Sequence, residues 1–142
     1  MGNGYRDLRV WQAGIDLVEL IYRATNDFPP SEVYGRSSQM RRAAVSIPSN
    51  IAEGHARDHL AEYIHHLSIA QGSLAEVTTQ VEIAIRLTYL TSEEAAELLN
   101  QLESLGKQLH KLHTSMRLRR QPSIPIIPIS NTQTPTPTAA QC

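Results

Sequence analysis

An all-α fold, an antiparallel up-down-up-down four-helix bundle, is what this sequence predicts, and three observations predict it. Apolar residues recur at intervals of three and four through four successive segments. Short connectors carrying Pro, Gly or Ser separate the segments, and short connections make neighbouring helices antiparallel. Nothing before residue 120 alternates apolar and polar residues as a half-buried strand does. The bundle is expected over residues 5–117, with a Pro- and Thr-rich tail, 118–142, read as disordered.

The first helix is expected from about Arg6 to Asn26, on the stripe Leu8, Trp11, Ile15, Val18, Ile21 and Tyr22, and Phe28-Pro29-Pro30 stops it. Ser31 is placed to N-cap the second helix, which is expected to run to Glu53, bend at Pro48 and close on Gly54 as a left-handed C-cap. Asp58 is the expected cap of a long third helix with Leu60, Ile64, Leu67, Leu74, Val77, Val81, Ala84 and Leu87 on its apolar face. Thr91 or Ser92 caps the fourth, whose stripe is Ala95, Leu98, Leu99, Leu102, Leu105, Leu109, Leu112 and Met116. From Leu118 the chain changes character, and Pro122, Pro125 and Pro128 preclude a continuing helix; the apolar run SIPIIPI is a candidate docking segment.

Composition sets outer bounds. A chain of 142 residues buries a core as one domain without needing metals or disulfides. The single cysteine is Cys142, so no intrachain disulfide forms and a reducing, cytoplasmic compartment is expected. The N-terminus MGNGYRDLRVWQ lacks the basic-then-apolar order of a signal peptide, and no apolar run approaches membrane-spanning length. A net charge of −1 gives no global attraction to nucleic acid, which leaves only local patches. Two groups qualify: Arg36, Arg41 and Arg42, and then Lys107, Lys111, Arg117, Arg119 and Arg120. The second also suits a helix macrodipole, which favours bases at the C-terminal end, so structure alone explains part of it.

The most informative stretch is QMRRAAVSIPSNIAEGHAR, residues 39–57, because a mid-helix proline deletes a hydrogen bond and crowds the preceding turn. Arg42, Ser46, Ser49, Asn50 and Glu53 lie near one stripe at helical spacing, and Ser73, Glu76 and Gln80 form a second beyond Gly72, which is read as allowing close backbone approach. Facing stripes would pair Arg42 with glutamate across the contact, making a polar network inside the bundle or at a subunit interface. A ligand pocket is the second reading, and no nucleophile with a base beside it argues for catalysis. Metal ligation finds little support: Glu62 and His65 make one Glu-x-x-His where a di-iron bundle needs two, and the pairs His110/His113 and His55/His59 lack further ligands. No metal and no cofactor are therefore expected.

The segments YRDLRVWQAGIDL, FPPSEVYGRSSQMRRAAVSIPSNIAEGHAR and EYIHHLSIAQGSLAEVTTQVEIA resemble the four-helix bundle protein family of 23S rRNA intervening sequences, over roughly residues 5–116, most specifically in SIPSNIAEG. Gln39, Arg41, Arg42, Ser46, Asn50, Glu53, Gly54 and Arg57 match the family pattern, as do Glu62, Tyr63, Ala70, Gly72, Ser73 and Glu76. His65-His66-Leu67 departs from it, standing where the family usually has an aromatic residue. The resemblance implies a left-handed bundle assembled as a ring-like homopentamer, with no assigned biochemical function. It also implies a distant similarity to the accessory proteins of diversity-generating retroelements, which bind a reverse transcriptase and nucleic acid. The resulting expectation is a non-enzymatic oligomeric scaffold that binds RNA, DNA or a nucleic-acid enzyme through basic patches. The alternative is a protein-interaction module using the Arg42–Glu53 stripe or the tail.

Overall fold

The four periodic segments form four α-helices in a computed structural model, which describes residues 4–121. They are α1 (Arg9–Asn26), α2 (Arg36–His55), α3 (Leu60–Arg86) and α4 (Ser92–Arg120), with single 3-10 turns at Gly4–Asp7 and Pro30–Glu32. Among the described residues there is no strand. Each helix packs on its two neighbours, α1 on α2 and α4, α3 on α2 and α4, and the diagonal pairs do not meet. The result is a square antiparallel bundle. One pole collects the start of α1, the α2–α3 turn and the end of α4. The other holds the α1–α2 and α3–α4 connections, where Phe28 packs on Tyr89 with ring centroids 5.3 Å apart.

The core is built from Leu17 and Ile21 of α1, Met40, Ile47 and Ile51 of α2, Leu67, Val77 and Val81 of α3, and Leu98, Leu105 and Leu109 of α4. On α1 the core face is Val10, Gly14, Leu17, Ile21 and Ala24, not the full predicted stripe. Ile15 and Tyr22 are 41% and 42% exposed, with Trp11 and Val18 half-buried beside them. The helix is apolar on two adjoining faces, and the bundle covers only one.

Helix termini show where local chemistry overrode the simplest reading. The start of α2 falls at Arg36 rather than after Ser31, because Gly35 takes a non-helical φ of −104° and ψ of −108°. The earlier residues make the separate 3-10 turn, and the Glu32 carboxylate accepts the Arg36 amide at 3.2 Å. The helix runs unbroken through Pro48, which is buried against Gly14. Gly54 is not a left-handed cap: it lies buried inside α2, which ends at Ala56 in right-handed geometry. Asp58 does not cap α3 either, since the N-cap is His59 and no side chain bonds there.

Thr91 does cap α4, its Oγ1 accepting the Glu94 amide at 3.1 Å. Glu93 and Glu94 fill the first turn and Arg117, Arg119 and Arg120 the last, the arrangement the dipole favours. The helix continues past Leu118 to Arg120, because good helix formers persist until Pro122 forces Gln121 into extended geometry, φ −65° and ψ 124°. The rest of the predicted tail, including SIPIIPI, lies outside the described residues.

Candidate functional site

The two polar stripes meet in part. On α2, Asn50 lies one helical turn beyond Ser46 and donates through Nδ2 to the Ser46 carbonyl at 2.8 Å and to its hydroxyl at 3.0 Å. The Ser46 hydroxyl bonds Ser73 on α3 at 2.8 Å. Because the Asn50 amide nitrogen is spent on Ser46, its Oδ1 is an acceptor, and His66 Nδ1 donates to it at 3.0 Å. His66 Nε2 then looks toward Glu53 Oε1, 4.0 Å away, and Glu53 also pairs with Arg57 at 3.1 Å. A hydrogen-bonded chain, Ser73–Ser46–Asn50–His66, thus stitches α2 to α3, with the Glu53–Arg57 pair beside its His66 end.

The helices approach closely enough for this because Gly54 has no side chain: a Cβ there would lie 2.7 Å from the His66 Cβ and 3.4 Å from the Tyr63 Cα. Gly72, by contrast, faces open space and permits no close approach. The expected Arg42–Glu pair across the stripes is not made. Arg42 is exposed and forms no ion pair among the described residues, and Glu76 accepts from Gln80 at 3.3 Å on its own helix. In its place the chain uses His66. The motif residues Ser46, Asn50 and Gly54 are therefore a helix-joining device, with Glu53 and Arg57 at its edge and Arg42 and Glu76 outside it.

His66 was missed at the level of sequence, where it reads only as a departure from the family pattern. Its place at the edge of the face adjoining Leu67's core side, opposite Gly54, is a tertiary fact that local spacing does not carry. Ser68 and His113 are a second surprise: Oγ and Nε2 lie 3.0 Å apart, joining α3 to α4. Burial pushes the His113 pKa below its ordinary value, and the positive charges of Arg117 and His110 push it the same way. No carboxylate is bonded to its other nitrogen, so nothing orients the imidazole as a general base. Among the described residues no three or more His, Cys, Asp or Glu side chains are grouped to hold a metal ion, and no helix is long and apolar enough to cross a membrane.

The two predicted basic groups have different fates. Arg41 is turned onto the end of α1, donating to Thr25 Oγ1 at 2.8 Å, Asn26 Oδ1 at 2.9 Å and the Tyr22 carbonyl at 3.3 Å, with its guanidinium 4.5 Å from the Tyr22 ring centroid. Arg36 is held 3.6 Å from Glu32. That group is thus a set of structural contacts with Arg42 left over, not an exposed patch.

On α4, Lys107 pairs with Glu103 at 3.3 Å, while Lys111, Arg117, Arg119 and Arg120 are exposed and make no ion pair among the described residues. They surround the helix end. Arg119 shares a recess of about 410 Å³ with His55, Arg57, Asp58 and His59 of the α2–α3 turn. Arg117 and Arg120 line a neighbouring recess beside Ile64, and Lys111 lines the α1–α4 groove beside Arg9. The fold therefore gathers bases from three parts of the chain at one pole.

The model of the 23S rRNA-intervening sequence proteins matches residues 6–111 of the chain. Among solved structures, the fold resembles a crystal structure of a protein of unknown function from the S23 ribosomal protein family of Bacteroides thetaiotaomicron VPI-5482. The two share 24% identity at a TM-score of 0.66, over 73% of this chain and 97% of that one. No curated protein sequence matches the chain.

Proposed function

The chain belongs to the 23S rRNA-intervening sequence protein family, and from that premise we propose that it is a non-enzymatic oligomeric scaffold binding RNA or DNA at its basic pole. The observation that carries the reading is the unpaired charge there. Lys111, Arg117, Arg119 and Arg120 form no ion pair among the described residues, and Arg119 shares a recess with His55, Arg57 and His59, where Asp58 is the one acid and Arg57 is paired with Glu53. Helix dipoles favour bases at the C-terminal ends of both α2 and α4, and the fold sets those two ends side by side, so the pole gathers more positive charge than either helix end alone. Phosphate groups, one per about 3.4 Å of helix axis along each strand, are suitable counter-charges for such a surface, and the attraction needs no aromatic platform.

Assembly strengthens the argument. The stripe Trp11, Ile15 and Val18 stays half-open on α1, which supports self-association; a ring of five copies and a cytoplasmic setting belong to the proposal as what the family resemblance implies. Repetition turns a modest patch into a multivalent one. A nucleic-acid enzyme such as a reverse transcriptase is the protein partner that fits a scaffold of this kind.

The test is a charge reversal of Arg117, Arg119 and Arg120 to Glu in the full chain, read by fluorescence anisotropy on labelled structured RNA and single-stranded DNA. Circular dichroism and light scattering check fold and mass. The proposal predicts loss of binding by at least about a hundredfold, with helicity and assembly unchanged. Unchanged affinity in a folded triple variant removes the pole as the binding surface.

A further inference from the structure

The opposite pole carries a cavity that the basic-pole reading leaves unused. It measures about 440 Å³ and opens between the end of α1, the Pro30–Glu32 turn and the first turn of α2. Three features of it are unbalanced. Arg41 and Arg42 both line it and neither faces a carboxylate: the partners of Arg41 are all uncharged, and Arg42 has none among the described residues. Ser37 lines it while only 5% exposed, and its hydroxyl has no hydrogen-bond partner among the described residues. The backbone amides of Ser37 and Ser38, at the start of a 20-residue helix, have no carbonyl acceptor.

Glu32, the acid in the turn just before this helix start, is already engaged. Glu32 takes the Arg36 amide at 3.2 Å and sits 3.6 Å from the Arg36 guanidinium. Glu32 thus answers Arg36 and leaves two guanidinium charges over. Helix amides, a hydroxyl that opens to the cavity without a protein partner, and two guanidiniums without a carboxylate are together what a phosphate group needs.

The cavity is larger than phosphate alone requires. Phe28, Pro30 and Val33 supply an apolar wall, and Tyr34, next in the chain, stands 95% exposed at the turn. A wall of this kind beside an anion site suits a flat organic group attached to the phosphate. We propose that this cavity is a nucleotide site: the phosphate is held by Arg42, Ser37 and the free amides of α2, and the base lies on the Phe28–Val33 wall. The ligand is a nucleoside monophosphate unit, either free or at the 5′ end of a strand. The site stands on residues about 30 Å from the basic pole, along a helix of this length, and does not depend on binding there.

Isotope-labelled full-length protein is titrated with adenosine monophosphate, adenosine, inorganic phosphate and a short oligonucleotide with and without a 5′ phosphate. Amide and side-chain shifts are followed. The expected result is saturable change at Phe28, Ser37, Ser38 and Arg42 with the monophosphate, and at least about tenfold weaker response to adenosine or to phosphate alone. Ser37→Ala and Arg42→Ala, which remove no contact of the native fold, each weaken the binding, Arg42→Ala by about tenfold or more. A stronger response to the 5′-phosphorylated oligonucleotide than to the monophosphate assigns the site to strand ends, and the reverse assigns it to free nucleotide. Absence of saturable shifts at about 10 mM with every probe overturns the proposal. So do equal responses to phosphate and the monophosphate, or affinity unchanged in both variants.

Discussion

At Thr88 the backbone takes a φ of 58°, left-handed geometry that a β-branched residue adopts only at a cost. The geometry closes α3: Thr88 N–H donates to the Ile85 carbonyl at 3.0 Å and Tyr89 N–H to Ala84 at 2.9 Å, the paired bonds that usually end on glycine. Thr88→Gly therefore stabilises the protein by about 1 kcal/mol, with Thr88→Ala giving no comparable gain. Urea unfolding midpoints check this, and a destabilised glycine variant contradicts it. Sequence patterning had no access to Thr88, because threonine argues against the conformation it occupies. His113 makes a second prediction at this scale. Its pKa lies below 6.5 in the folded protein, first through burial and then through Arg117 and His110. As pH falls through 6.5 the unfolded chain takes up the proton first, so this contribution to stability is complete above 6.5 and is lost progressively down to the folded pKa. His113→Gln narrows the difference between urea midpoints measured at about pH 7.5 and 5.5; an unchanged difference excludes His113 as a source of it.

Helices α2 and α3 are the most tightly joined pair, and Gly54 is the reason. A methyl group at that position would press on a His66 Cβ rooted in the backbone, so relief requires the helices to part and the Asn50–His66 bond to stretch. Gly54→Ala gains about 1 kcal/mol of helix propensity but loses about 1–3 kcal/mol to overpacking, a net loss visible in a lowered thermal midpoint. A raised midpoint would show that α2 can shift without penalty. Element identity was legible from periodicity because each helix buries a stripe long enough to be read: Leu98, Leu102, Leu105 and Leu109 on α4 were all in the predicted set. Element ends were less legible. Ser31 and Asp58 are good capping residues that do not cap, because Gly35 delays α2 and His59 occupies the cap position of α3. The polar stripe was half legible: Ser46, Asn50, Glu53 and Ser73 were read from spacing, whereas His66 joins them only through the contact with Gly54.

Across the whole molecule, antiparallel topology sorts charge to the poles. Even-numbered helices end where odd-numbered ones begin, so the basic end of α4 meets the α2–α3 turn, where Arg57, His55 and His59 outnumber the single acid Asp58. The family and the four-helix architecture could be read from the chain; this convergence could not, because its members are about 60 residues apart in sequence. The predicted group at Arg36, Arg41 and Arg42 illustrates the same limit, since Arg41's partners on α1 lie 15 to 19 residues away and turn it inward. The central claim is that the α4 pole neutralises phosphates, and its most direct test is the slope of log Kobs against log salt for structured RNA, single-stranded DNA and duplex DNA. The account predicts a steep linear loss between low and physiological salt for at least one of them. With Arg117, Arg119 and Arg120 changed to Ala, the slope for that ligand should flatten by about two to three units per bound chain. No binding at low salt, or a slope the triple variant leaves unchanged, contradicts it.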